Sequence, residues 1–207
     1  HFGSLIAVIF FFKKEIFHFT KNKKLFFKII IASVPLGTVG FFLIKYEIVS
    51  NLRSFEVMGW TTIIFGLLLY ISDKFKLNQN IENNFTFKNS IIIGFFQILA
   101  IIPGVSRSGI IITGSRFLKF NRIDSAKISF LMSIPALGFW SIYGFYDLIR
   151  QNNNFLNISA ILTAFLSFIF SYLTIKYFLV YLKKFNLSLF VVYRLILGVM
   201  ILLVAYL

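Results

Sequence analysis

Apolar runs alternate with short basic connections along the chain, and this alternation restricts the fold more than any other property of the sequence. Residues 26–44, 57–72, 128–149, 156–182 and 188–207 read as spans, set by about 1.5 Å of helix per residue against roughly 30 Å of hydrocarbon. Hydrophobic residues make up 58% of the 207, with 29 Phe and a mean hydropathy of +0.87. A soluble domain of this size could not bury so much apolar surface. The class is therefore all-α: a polytopic helical membrane protein, one transmembrane domain over residues 1–207. The net charge of +14 does not point to nucleic acid, because the basic residues flank the spans and form no aromatic-basic reading face. It fits cytoplasmic loops facing anionic lipid.

One apolar stretch is interrupted. Residues 98–114, ILAIIPGVSRSGIIITG, place Pro103, Gly104, Ser106, Arg107, Ser108 and Gly109 amid isoleucines. Pro103 cannot continue a helical ladder and the two glycines tolerate unusual backbone angles, so the helix is expected to stop and restart here. Irregular backbone survives at membrane depth only when buried in protein or facing a wet cavity. The N–H groups of residues 106–109, both hydroxyls and the guanidinium then supply donors without fixed negative charge. Such a helix start suits an anion, and the planar fork of Arg matches two phosphate oxygens. The bland alternative has Arg107 snorkelling to a lipid headgroup from a kinked helix.

Charge placement gives the topology. The connections at 13–28, 73–89, 116–127 and 183–184 carry fifteen Lys and Arg, against three (Lys45, Arg53, Arg150) in the opposite set. The positive-inside rule makes the first set cytoplasmic. This holds only if residues 90–118, whose apolar arms are too short to span singly, form a re-entrant hairpin that returns to the side it entered from. The chain opens on His1, and residues 2–12 are short for a crossing, so an upstream portion is expected. A matching hairpin there would make an inverted repeat whose two broken segments meet near the midplane.

Gln97, Ala100, Pro103-Gly104 and Ser106-Arg107-Ser108-Gly109, followed by Ser129-Phe130-Leu131 and Pro135, resemble the second signature of the undecaprenyl-diphosphate phosphatase family, the bacitracin-resistance type. The opening residues 1–8, HFGSLIAV, resemble that family's first full span, and Tyr193-Arg194 with Leu197-Gly198 its last. The resemblance covers essentially the whole chain in order. It implies hydrolysis of undecaprenyl diphosphate to undecaprenyl phosphate and phosphate in the bacterial inner membrane, recycling the carrier for peptidoglycan synthesis. By the same resemblance Ser106 and Arg107 match the phosphate-contacting serine and arginine and take the catalytic role. Gly104, Ser108, Gly109 and Thr113 are the expected phosphate-binding residues. The family usually has threonine where this chain has Ile111, which is why Thr113, the nearest hydroxyl, enters that set.

No carboxylate sits at membrane depth in the sequence. Glu15, Glu47, Glu56, Asp73, Glu82, Asp124 and Asp147 fall in loops or at span ends, no His/Asp/Glu cluster is spaced for a metal, and His18 lies in a lysine-rich loop. The resemblance places catalytic glutamates and a histidine in an amino-terminal hairpin upstream of His1, so this chain alone is expected to be inactive; it also implies magnesium or calcium dependence. Expected partners are a polyprenyl diphosphate, membrane lipids and, for the chain itself, a second copy in a homodimer. The rival reading is a transporter or flippase of a phosphorylated polyprenyl lipid, which could use the same broken-helix anion site without carboxylates. A purely structural membrane subunit would need no buried arginine.

Overall fold

The computed structural model describes residues 1–16, 23–46, 52–75, 79–151 and 154–207; His18 and Glu47 lie outside the described residues. Helices occupy almost all of it: α1 (Phe2–Phe11), α2 (Lys23–Lys45), α3 (Phe55–Asp73), the single turn α4 (Ile81–Asn84), α5 (Phe87–Ile98), α6 (Arg107–Phe117), α7 (Arg122–Gln151), α8 (Asn154–Lys184) and α9 (Ser188–Tyr206). Among the described residues five stretches are long and apolar enough to cross a membrane: Lys24–Leu43, Phe55–Asp73, Arg122–Tyr146, Ser159–Lys184 and Ser188–Tyr206. The protein is thus an all-α, multi-pass membrane protein. The basic connection expected to run to Lys127 is shorter than its polarity suggests. Asn121 ends it, its side-chain oxygen accepting from the Asp124 N–H at 2.8 Å, and α7 starts at Arg122.

The broken stretch is a hairpin. Its arms are α5, 12 residues, and α6, 11 residues, joined by a 3₁₀ turn (Leu99–Ile101) and an irregular loop to Ser106. Each arm opens on a hydroxyl cap: Thr86 accepts from the Asn89 N–H and Ser106 from the Gly109 N–H, both at 3.2 Å. At the base the two ends of the hairpin lie side by side. The Gln79 N–H donates to the Lys119 carbonyl at 3.1 Å and the Asn121 N–H to the Gln79 carbonyl at 3.2 Å. A segment whose entry and exit pair in this way returns to the face it came from.

The same end gathers described residues from, or next to, each of the four basic connections. Asp73, at the end of α3, accepts from Arg122 Nε at 2.7 Å and from the Leu187 N–H at 3.0 Å, and pairs with Arg116 at 3.0 Å. Lys127 lies 3.8 Å from Glu15, and the Lys28 ammonium donates to the Phe85 carbonyl. The side assigned by charge counting is therefore one physical face.

Small residues let the spans approach. A Cβ on Gly59 of α3 would stand 3.2 Å from the Gly198 carbonyl of α9, and one on Gly3 of α1 would stand 2.0 Å from the Ala164 carbonyl of α8. Where lipid tails are as apolar as the helices themselves, such close backbone packing replaces the hydrophobic effect as the reason for association. The α5–α6 hairpin sits inside this frame, with α6 against α3 and α7, and α5 against α2.

Candidate active site at the hairpin tip

The tip is shaped by the sequence around Pro103. Ile102, before the proline, is extended at ψ 126°, and the helical ladder has already ended at the 3₁₀ turn. Gly104 follows at φ +86°, and a Cβ there would meet Thr61 Oγ1 at 2.2 Å and the Met58 carbonyl at 2.4 Å. Only glycine fits both the angle and the space. Thr61 and Thr62 of α3 hold the tip by donating to the Pro103 and Gly104 carbonyls at 2.6 and 3.2 Å. Gly104 therefore fixes the loop by close packing. Gly109 differs from expectation: it is an ordinary helical residue of α6, and its lack of a side chain admits the close approach of Arg194 Nη1, which would stand 3.0 Å from a Cβ there.

Ser106 caps α6 and Arg107 is the first helical residue. Because the Ser106 hydroxyl takes the Gly109 N–H, the free donors are fewer than the four expected. Among the described residues, the N–H groups of Ser106, Arg107 and Ser108 have no protein acceptor. The Ser106 and Ser108 hydroxyls lie 3.2 Å apart. Free N–H groups at a helix start carry the positive end of its dipole and suit an anion.

Arg107 points into the protein. Its Nη2 donates to the Met132 carbonyl of α7 at 2.7 Å. With the Gln97 amide oriented to satisfy both groups, Gln97 Oε1 accepts from Nη2 at 2.9 Å and from Nε at 3.3 Å. Nη1 has no protein partner among the described residues. The guanidinium is thus clamped by α5 and α7, with two N–H bonds left for a ligand, and the snorkelling alternative does not describe it.

Beside Arg107 lies a cavity of about 450 Å³ between α1, α6, α7 and α8. Ser4, Ser108, Ser129, Ser133, Ser171 and Thr174 give it hydroxyls, and Phe130, Leu137 and Phe170 give it apolar wall. Ser171 Oγ is 2.9 Å from Ser4 Oγ, which is 2.8 Å from Ser167 Oγ, so α1 and α8 are joined by hydroxyls. Ile111 lines this cavity and Thr113 does not. Thr113 is 1% exposed and donates to the Gly109 carbonyl at 2.8 Å, so the structure does not bring it to Arg107. It does bring together Ser106, Arg107 and Ser108. Gln97 and the serines of α1, α7 and α8 were not foreseen as site residues. A fully buried glutamine inside an apolar run was the signal available for the first.

The described residues around Arg107 are hydrogen-bond donors and hydroxyls, and among the described residues no group of three or more His, Cys, Asp or Glu comes together. They do not by themselves fit a magnesium or calcium ion, which takes oxygen ligands, usually carboxylates.

The model of the bacitracin resistance protein BacA family matches residues 1–200. A protein of Pelagibacter ubique named undecaprenyl-diphosphatase is 43% identical over all of this chain, which covers 80% of it. Proteins of the same name from Campylobacter curvus and a Jannaschia species are 37% and 35% identical over 98% and 90% of this chain, covering 81% and 70% of their lengths. The order of motifs around the hairpin and these matches along nearly the whole length agree, and the chain belongs to the bacitracin resistance protein BacA family.

Proposed function

We propose that the protein hydrolyses undecaprenyl diphosphate to undecaprenyl phosphate and inorganic phosphate in the bacterial inner membrane, returning the lipid carrier to cell-wall synthesis. The relatives' name supports the reaction. One observation supports the site: a guanidinium held between buried helices by Gln97 and the Met132 carbonyl, without an acidic partner among the described residues. A cation so placed is costly unless an anion neutralises it.

In the reaction a water oxygen attacks the terminal phosphorus and the bond from that phosphorus to the bridging oxygen breaks. The bridging oxygen leaves on the prenyl monophosphate. Arg107 Nη1 holds phosphate oxygens and stabilises the charge that develops on them. The Ser106 hydroxyl and the free N–H groups of residues 106–108 complete the cradle, with Ser108 at its rim and Gly104 and Gly109 keeping its shape. Phe130, Leu137 and Phe170 suit the first prenyl units. The residues described here bind and stabilise charge; the proton-transfer step is left to carboxylates of the kind the resemblance implies. No step is routed through a metal ion.

The test is phosphate release from a polyprenyl diphosphate by the full-length protein in detergent. Arg107→Ala is expected to lower release at least about a hundredfold, on the order of 3 kcal/mol at the barrier. An unchanged rate removes Arg107 from the mechanism.

A further inference from the structure

A second arginine stands on the opposite flank of the tip. Arg194 of α9 is 8% exposed, and among the described residues it has no acidic partner. Arg116 and Arg122, by contrast, both pair with Asp73. Arg194 makes one protein hydrogen bond, from Nη2 to the Gly104 carbonyl at 2.9 Å. Its Nε is buried without an acceptor, and Nη1 has no protein partner either among the described residues.

Nη1 reaches the first turn of α6. A Cβ on Gly109 would stand 3.0 Å from Arg194 Nη1 and 3.3 Å from Ser106 Oγ. The missing side chain at Gly109 therefore lets Nη1 pack against the first turn of α6, close to the capping hydroxyl and to the unpaired N–H groups of residues 106–108. Stapling the loop through Gly104 would use only Nη2. It leaves unexplained why a buried cation keeps Nη1 unpaired at the first turn of α6, since buried polar groups are ordinarily satisfied. Two guanidiniums flanking one donor-only turn match an anion with at least two negative charges.

We propose that Arg194 is a second phosphate-binding cation of this site, holding one phosphoryl group of a diphosphate from the α9 side while Arg107 holds the other from the α7 side. This rests on the diphosphatase reading and deepens it. The pair of arginines distinguishes the diphosphate substrate from the monophosphate product, which has only one group to offer and loses one of the two grips.

The experiment measures binding of inorganic diphosphate and of inorganic phosphate to the full-length protein in detergent by titration calorimetry. The unsubstituted protein is expected to prefer diphosphate by at least about tenfold. Arg194→Gln is expected to bring the two affinities within about threefold of one another while phosphate still binds. Gly109→Ala, which keeps both charges but sets a methyl group 3.0 Å from Nη1 and so displaces it, is expected to narrow the preference in the same direction. It serves as the reading should Arg194→Gln fail to fold. A preference that survives both substitutions overturns the proposal, and so does loss of both anions in equal measure, which is what a loop staple would give. Turnover of polyprenyl diphosphate by the same unsubstituted preparation is read separately. Selective diphosphate binding without turnover sinks the phosphatase reading and leaves the Arg194 assignment standing.

Discussion

Gln97 and Arg107 face each other across the hairpin, and the glutamine oxygen accepts from both Nη2 and Nε of the guanidinium, at 2.9 and 3.3 Å. Gln97 is fully buried on α5, whereas Arg107 opens α6. The contact fixes where Nη1 points, because the same guanidinium is also tied to the Met132 carbonyl on α7. A side chain that could otherwise adopt many rotamers is thereby preorganised for its ligand.

Gln97→Leu keeps the volume and removes both bonds. Phosphate release is expected to fall about tenfold to a hundredfold in kcat/KM, near 1.4–3 kcal/mol, because charge-assisted hydrogen bonds are lost and Arg107 is free to wander. Gln97→Glu is expected to bind inorganic phosphate more weakly, since a carboxylate there competes with the ligand for the guanidinium. Phosphate affinity unchanged in the glutamate variant would show that the Arg107 charge is not what the anion meets.

Asp73 joins α3, α6, α7 and the start of α9 through Arg116, Arg122 and the Leu187 N–H. The Arg116 side chain is 2% exposed, so Asp73→Ala strands a buried cation and is expected to cost about 3–5 kcal/mol. Thermal unfolding in detergent measures this. The double substitution Asp73→Leu with Arg116→Met is expected to lose less than Asp73→Ala alone, because no unpaired charge remains.

Gly104→Ala asks for a left-handed backbone from a residue with a Cβ and drives that Cβ against Thr61 and the Met58 carbonyl. The tip is expected to shift, with about 1–3 kcal/mol lost from stability and a larger proportional loss of phosphate release. Full activity with native unfolding behaviour would show that the loop geometry is not required.

Thr113→Val tests the hydroxyl that the sequence offered in place of the family's threonine. The Thr113 hydroxyl is committed to the Gly109 carbonyl of its own helix. Phosphate release is expected to stay within about threefold, less than 1 kcal/mol at the barrier. A hundredfold loss would return Thr113 to the phosphate cradle. Ile111→Thr, on the cavity wall itself, is the position where a new hydroxyl is expected to alter turnover.

Much of the architecture follows from the order of residues alone. Apolar length fixed the spans. The lysine-rich connections fixed which ends lie together, and the Pro103-Gly104 break with Ser106 and Arg107 fixed where a helix stops and restarts on an anion-binding turn. Each of these is a local property, set by the bilayer's thickness and by backbone chemistry.

Which side chains meet was decided only by the tertiary structure. α8 carries Ser167, Ser171 and Thr174 along one side, yet that pattern does not say which helix the side meets, and helix contacts in lipid turn on small residues whose partners lie far along the chain. The grip of Gln97 on Arg107, the approach of Arg194 to Gly109 and the withdrawal of Thr113 from the cavity all depend on how α5, α6 and α9 are rotated against one another. That rotation is settled by packing summed over the whole bundle, and no single stretch of sequence carries it.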